Sequence, residues 1–182
     1  MKPMNRYSLA LEARARWAMY VVSLVGGKES AAKTAKSLAI IGAERSGQAA
    51  GRDDEDVRCP ALLADVEELR DAFTRAMLSV RELRQKRRTR DGIAAEVEAM
   101  AKEANRRCGL SYELFVKWFS EDVEGLLEEL EPEYRPLALE IAKVNGYATS
   151  EERHAMQDEI EESGGCPLTG IDPWCCPCGR HE

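Results

Sequence analysis

Apolar residues recur along this chain at separations of three and four with charged residues between them, and no segment alternates convincingly as a strand would. Leu9, Ala13, Trp17, Tyr20 and Leu24 form the first stripe and predict a helix over 8–25. Gly26 and Gly27 close it, because left-handed backbone costs glycine little. A second helix is expected from about Ser30 to Ala43, with Ala31, Ala35, Leu38 and Ile41 on one side. Ser46 to Asp56 contains Gly47, Gly51 and the acidic run Asp53-Asp54-Glu55-Asp56, and reads as an exposed linker and the best boundary in the chain.

Pro60 stands at the head of the longest helical signal. Leu62, Val66, Leu69, Phe73, Ala76, Val80 and Leu83 alternate spacings of four and three, as in a long hairpin or coiled coil. A basic run through Arg90 follows, and Asp91-Gly92 marks a turn or break. A new stripe begins at Ile93 and continues through Val97, Met100, Ala101, Ala104 and Cys108 to Gly109. Ser111 can cap the next helix, which carries Leu114, Phe115, Trp118, Phe119, Val123, Leu126, Leu127 and Leu130, the most apolar face and the expected core. Pro132 ends it, and a further helix runs from Pro136 to Gly146. Thr149 followed by Glu152 is a capping box for the last helix, which ends before Gly164-Gly165. The expected architecture is an all-α bundle of about six helices: an N-terminal helix pair (1–50), an acidic linker (51–60), a main helical domain (61–163) and a cysteine-rich tail (164–182).

Composition narrows the roles. At 182 residues and 44% hydrophobic content the chain can bury a sizeable core. Its net charge of -7 argues against nucleic-acid binding over the whole surface, though not against a local basic patch. No apolar run reaches membrane-spanning length. Trp17 to Val25 is the nearest approach to a signal peptide, but Glu12 interrupts its leader and no small-residue cleavage site follows. The expectation is a cytoplasmic chain, in a compartment where thiols meet metals more readily than each other.

The tail concentrates the chemistry. Cys166, Cys175, Cys176, Cys178 and His181 lie in the final residues, a segment too short to bury a core and broken by Pro167, Pro173 and Pro177. Thiolates and neutral imidazole both donate a lone pair to zinc, and four such ligands close a tetrahedron. Cys178 and His181 stand at knuckle spacing around Gly179, Cys166 reaches in from across the loop, and Cys175 or Cys176 supplies the remaining ligand. A closed site of this kind is structural. Redox-active thiols and an iron–sulfur cluster are the competing readings. Cys59 and Cys108 stand alone on helical segments and read as small buried apolar residues.

The words Gly170-Ile171-Asp172-Pro173-Trp174-Cys175-Cys176-Pro177-Cys178-Gly179 resemble the endings of small uncharacterised phage and prophage proteins. His181 falls outside that recurring pattern, and the helical body is not covered by it. The resemblance implies an accessory or regulatory protein of a mobile element, and carries no activity with it.

Two further constellations bear on partners. Arg81, Arg84, Lys86, Arg87, Arg88 and Arg90 could meet phosphates, or pair within the chain with the acidic stretch from Glu121 to Glu133. Ala104, Gly109 and Trp118 fall where a helix-turn-helix wants them, with Arg106 and Arg107 nearby, yet the following helix presents Glu113, Glu121 and Asp122, a poor face for a polyanion. With only His154 and His181, and Glu151-x-x-His154 lacking a second copy, no catalytic arrangement or small-molecule substrate is evident. The expected role is therefore non-enzymatic: binding a host or phage protein, with a homodimer among the expected assemblies and nucleic-acid binding as the alternative.

Overall fold

Asn5 accepts the Tyr7 amide on its side chain at 3.0 Å and so opens the first helix. The protein is described by a computed structural model over residues 5–53, 57–109, 111–166, 169, 176 and 178, and every regular element among these residues is helical. The helices are α1 (Arg6–Val25), α2 (Glu29–Gly51), α3 (Ala61–Ala64), α4 (Glu67–Arg87), α5 (Arg90–Arg107), α6 (Tyr112–Glu129), α7 (Arg135–Val144) and α8 (Ser150–Glu162), with a 3-10 turn at Pro132–Tyr134. The all-α class is as expected. None of the described helices is long and apolar enough to cross a membrane.

The chain divides into two compact units, Met1–Gln85 and Lys86–Glu182. In the first, α1 and α2 form a hairpin turned at Gly27 (φ +68°), where the Lys28 amide reaches back to the Ser23 carbonyl at 2.9 Å. Their interface is built from alanine. Ala10 and Ala13 of α1 and Ala32, Ala35, Ala39 and Ala43 of α2 are buried, while Leu24, expected on the inner stripe, is 53% exposed. Trp17 and Tyr20 sit at the edge, with the Lys36 ammonium 5.6 Å and 5.4 Å from their ring centres. Helix α2 continues past Ala43 to Gly51, into the segment expected as linker. A Cβ on Gly47 would lie 2.2 Å from the Phe73 carbonyl oxygen, and one on Gly51 2.7 Å from that of Met77. These glycines let α2 lie against the backbone of α4 rather than loosening the chain. The stretch 51–60 therefore does not divide the chain, because Ala50 before it and Leu63, Leu69 and Phe73 after it share one core.

The long helix expected after Pro60 is interrupted. Helix α3 ends at Ala64 and α4 begins at Glu67; Leu63 is buried while Leu62 turns outward. Beyond the break the expected seam holds at Leu69 and Phe73.

In the second unit, Thr89 caps α5 by accepting the Gly92 amide at 3.1 Å, which places Asp91-Gly92 inside the first helical turn rather than at a break. The core is built around large side chains, Ile93 and Val97 from α5, Phe119, Val123 and Leu126 from α6 and Ile141 from α7, with Ala104, Ala138 and Ala142 packed among them. Phe115 stacks on Phe119 with ring centres 5.5 Å apart. Ser111 caps α6 through the Leu114 amide, and Thr149 and Glu152 form the expected capping box of α8. Helix α8 buries none of its residues.

Candidate metal centre

Helix α8 stops when the Ser163 and Gly164 amides bond back to Glu159 and Glu161, and Gly164 takes a positive φ of 80°. The chain then turns into the tail, where Cys166 is buried. The Sγ atoms of Cys166, Cys176 and Cys178 all lie within 4.8 Å of one another, and those of Cys166 and Cys178 are 3.8 Å apart. Among the described residues no two cysteines form a disulfide. With zinc–sulfur bonds of about 2.3 Å, two thiolates on one tetrahedral ion stand about 3.8 Å apart. Three close thiols of this kind could hold a metal ion.

Polar contacts around the sulfurs suit that use. The Cys178 amide donates to the Cys176 Sγ at 3.5 Å, and the Thr169 hydroxyl lies 3.0 Å from the same sulfur. The cluster is also tied to the helical body. The Ser111 hydroxyl donates to the Thr169 carbonyl at 2.6 Å while accepting the Leu114 amide at 3.1 Å. One side chain thus caps α6 and anchors the tail. Ser111 was legible as a cap. Its second bond joins positions 58 apart and has no local signal in the sequence. Of the five expected ligands, Cys166, Cys176 and Cys178 are brought together, while Cys175 and His181 lie outside the described residues.

The lone cysteines part company. Cys108 is buried, as expected, and its thiol donates to the Asn105 carbonyl at 3.2 Å. Cys59 is only partly buried; burial pushes its thiol above the ordinary value, against the opposing charge of Arg70.

The basic run is turned inward on the chain's own carboxylates. Arg87 bonds Glu96 at 2.7 Å and Glu129 at 2.8 Å, Arg88 bonds Glu131 at 2.7 Å, and Arg90 lies 3.2 Å from Glu140. The Glu96 hydrogen bond, followed by that of Glu129, holds the Arg87 guanidinium above its ordinary value despite the contrary effect of burial. Arg84 donates to the Arg52 carbonyl at 2.7 Å. Arg81, half-buried, and Lys86, exposed, are the other cations of the run and lie on the same stretch of α4. At the Gly109 turn (φ +63°), Arg106 pairs with Glu103 at 2.6 Å and Arg107 with Asp122 at 2.8 Å. Arg107 also lies over the Trp118 ring. Paired guanidiniums would have to give up these carboxylates before meeting phosphate.

His154 is exposed on α8, with Nδ1 2.7 Å from the Ser150 carbonyl. It borders a cleft of about 280 Å3 between α6 and α8 that also touches Glu113, Lys117, Arg153 and Ile160. Arg153 is engaged there by Glu124 at 2.9 Å.

No family model, curated protein or solved structure matches this chain.

Proposed function

We propose that the chain is a non-enzymatic accessory or regulatory protein of a mobile element, which works by binding a host or phage protein and carries a structural zinc ion in its tail. The observation that carries this reading is the trio of thiols within 4.8 Å of one another, with Cys166 and Cys178 at the 3.8 Å expected of tetrahedral zinc ligands, tied to the start of α6 through the Thr169–Ser111 bond. Zinc is favoured over iron–sulfur because the set is compact and its expected fourth member, Cys175 or His181, comes from the same short tail. Four protein ligands leave no position for water or substrate, so the ion's work is to fold the tail and hold it to the body. The mobile-element assignment leans on the resemblance of residues 170–179 to phage and prophage tails. Protein is favoured over nucleic acid as the partner because the basic run is paired internally and the net charge is -7.

Elemental analysis of freshly reduced protein tests the site. One zinc per chain is expected, lost in Cys178→Ser, while far-ultraviolet circular dichroism keeps its helical signal. Protein devoid of stoichiometric metal would end the zinc reading, and a collapse of helicity in the variant would place the metal in the core. Affinity capture from host lysate tests the role. A stoichiometric protein retained by the wild type is expected; retention of nothing, with a shifted duplex at low salt, would transfer the role to nucleic acid.

A further inference from the structure

Helix α1 is apolar on two opposite sides. Ala10 and Ala13 are fully buried in the core of the first unit. Across the helix, Leu11, Ala15, Ala18, Val22 and Val25 are all exposed and follow one another at spacings of four, three, four and three. Leu11 is 58%, Val22 72% and Val25 86% exposed. This is the spacing of a coiled-coil seam, on a helix whose other face is already covered.

We infer that this seam packs against the same seam of a second copy of the chain, antiparallel, about a two-fold axis between Ala15 and Ala18. The stripe is self-complementary in size when reversed. Leu11 then faces Val22 of the second copy, Ala15 faces Ala18, and Ser8 faces Val25. Small residues at the axis let the helices approach at the short end of the usual 8–10 Å, and larger ones fill the space toward the ends. The flanks agree. Glu12 and Arg16 lie on one side of the seam, 3.7 Å apart. Reversal sets Glu12 beside Met19 of the second copy, so this flank places no like charges face to face. On the other flank Arg14 meets Val21 rather than Arg14.

The area suffices. The 20 residues of α1 span about 30 Å, and two such helices in contact along that length cover roughly 1,200 Å2, the lower end for a specific interface. Exposed Tyr7, Met19 and Val21 beside the seam add to it. A lipid surface would also take an apolar helix face. It is disfavoured by the alanines at the centre of the stripe, by Glu12 beside it and by the net charge of -7.

Sedimentation of the full chain at about 50 μM tests the pairing, with a dimer expected. Ala15→Glu and Ala18→Arg, each at an exposed position, should individually weaken association about 100-fold or more with unchanged circular dichroism. The double variant Ala15→Glu/Ala18→Arg should dimerise again, because the antiparallel register brings the two introduced charges face to face. A monomeric wild type, single variants that still dimerise, or a double variant that stays monomeric would each overturn the inference. So would a monomer that binds phosphatidylcholine–phosphatidylserine vesicles through this helix. Cys178→Ser should dimerise normally, which separates this outcome from that of the zinc test.

Discussion

Where α1 meets α2 the contacting side chains are alanines; where α5 meets α6 they are isoleucine, valine, phenylalanine and leucine. Both pairs are two helices closing on one another, yet the apolar bulk lies in opposite places. In the second unit it is inside, with Phe119 and Val123 fully buried. In the α1–α2 pair it is largely outside, since Leu11, Met19, Val22, Leu24 and Val25 are exposed and the two helices meet through methyl groups and backbone, while Leu63, Leu69 and Phe73 fill the rest of that unit's core. Close backbone approach replaces side-chain volume between α1 and α2, and interdigitated volume takes its place between α5 and α6. Large apolar residues on α1 therefore mark a surface, whereas on α6 they mark a core.

The largest effect expected from this contrast comes from paired truncations. Phe119→Ala removes a fully buried ring and should cost about 3–5 kcal/mol of stability. Leu24→Ala removes a comparable apolar mass that is half in solvent, and should cost under about 1 kcal/mol. Urea titrations followed by circular dichroism measure both. Similar losses at the two positions would mean that Leu24 is packed after all.

A smaller but sharper contrast uses glycine. Gly47→Ala puts a methyl group 2.2 Å from the Phe73 carbonyl oxygen, a backbone atom that cannot swing away, and should destabilise the first unit by about 2–3 kcal/mol. Gly125→Ala on α6 meets nothing within 4 Å, and should stabilise its helix by about 0.5–1 kcal/mol. Opposite signs in thermal unfolding are expected. A neutral Gly47→Ala would show that α2 and α4 have room to part.

The same contrast explains which parts of the fold were legible beforehand. Spacing of three and four identified the helices, and the caps at Ser111 and Thr149 were readable because each places an oxygen within one turn of its amide. The inner face of α1 was read correctly at Ala13 and Trp17, but Leu24 was wrongly included and Ala10 missed, because periodicity weights large residues above alanine although alanine is what permits close contact. Gly47 and Gly51 looked like linker because a glycine that loosens a chain and one that admits a neighbouring backbone are the same letter. The thiol cluster was legible in composition, as clustered cysteines, but its attachment was not. Ser111 and Thr169 meet only through the fold.

The last comparison concerns helix starts, and its effect is the smallest. Helix α8 buries nothing, so its first turn depends on the capping box: the Glu152 carboxylate accepts the Thr149 amide at 2.7 Å and the Thr149 hydroxyl accepts the Glu152 amide at 3.2 Å. Helix α2 starts at Lys28 with no side-chain cap and is held by burial instead. The Thr149 backbone amide, then its side chain, hold the Glu152 carboxyl below the ordinary glutamate value, against a lesser desolvation. A carboxyl depressed by folding lends stability above its unfolded value and loses it as pH falls through the folded one. Acidification through the glutamate range should therefore lower the protection of the amides at residues 150–153, measured against the intrinsic exchange rate at each pH, before it lowers that of residues 29–32. Glu152→Gln keeps an acceptor in the box without a titrating charge, so it should start slightly weaker and lose this pH dependence. If the Gln variant frays over the same pH interval as the wild type, the dependence belongs to another carboxylate and the cap is not what holds the start of α8.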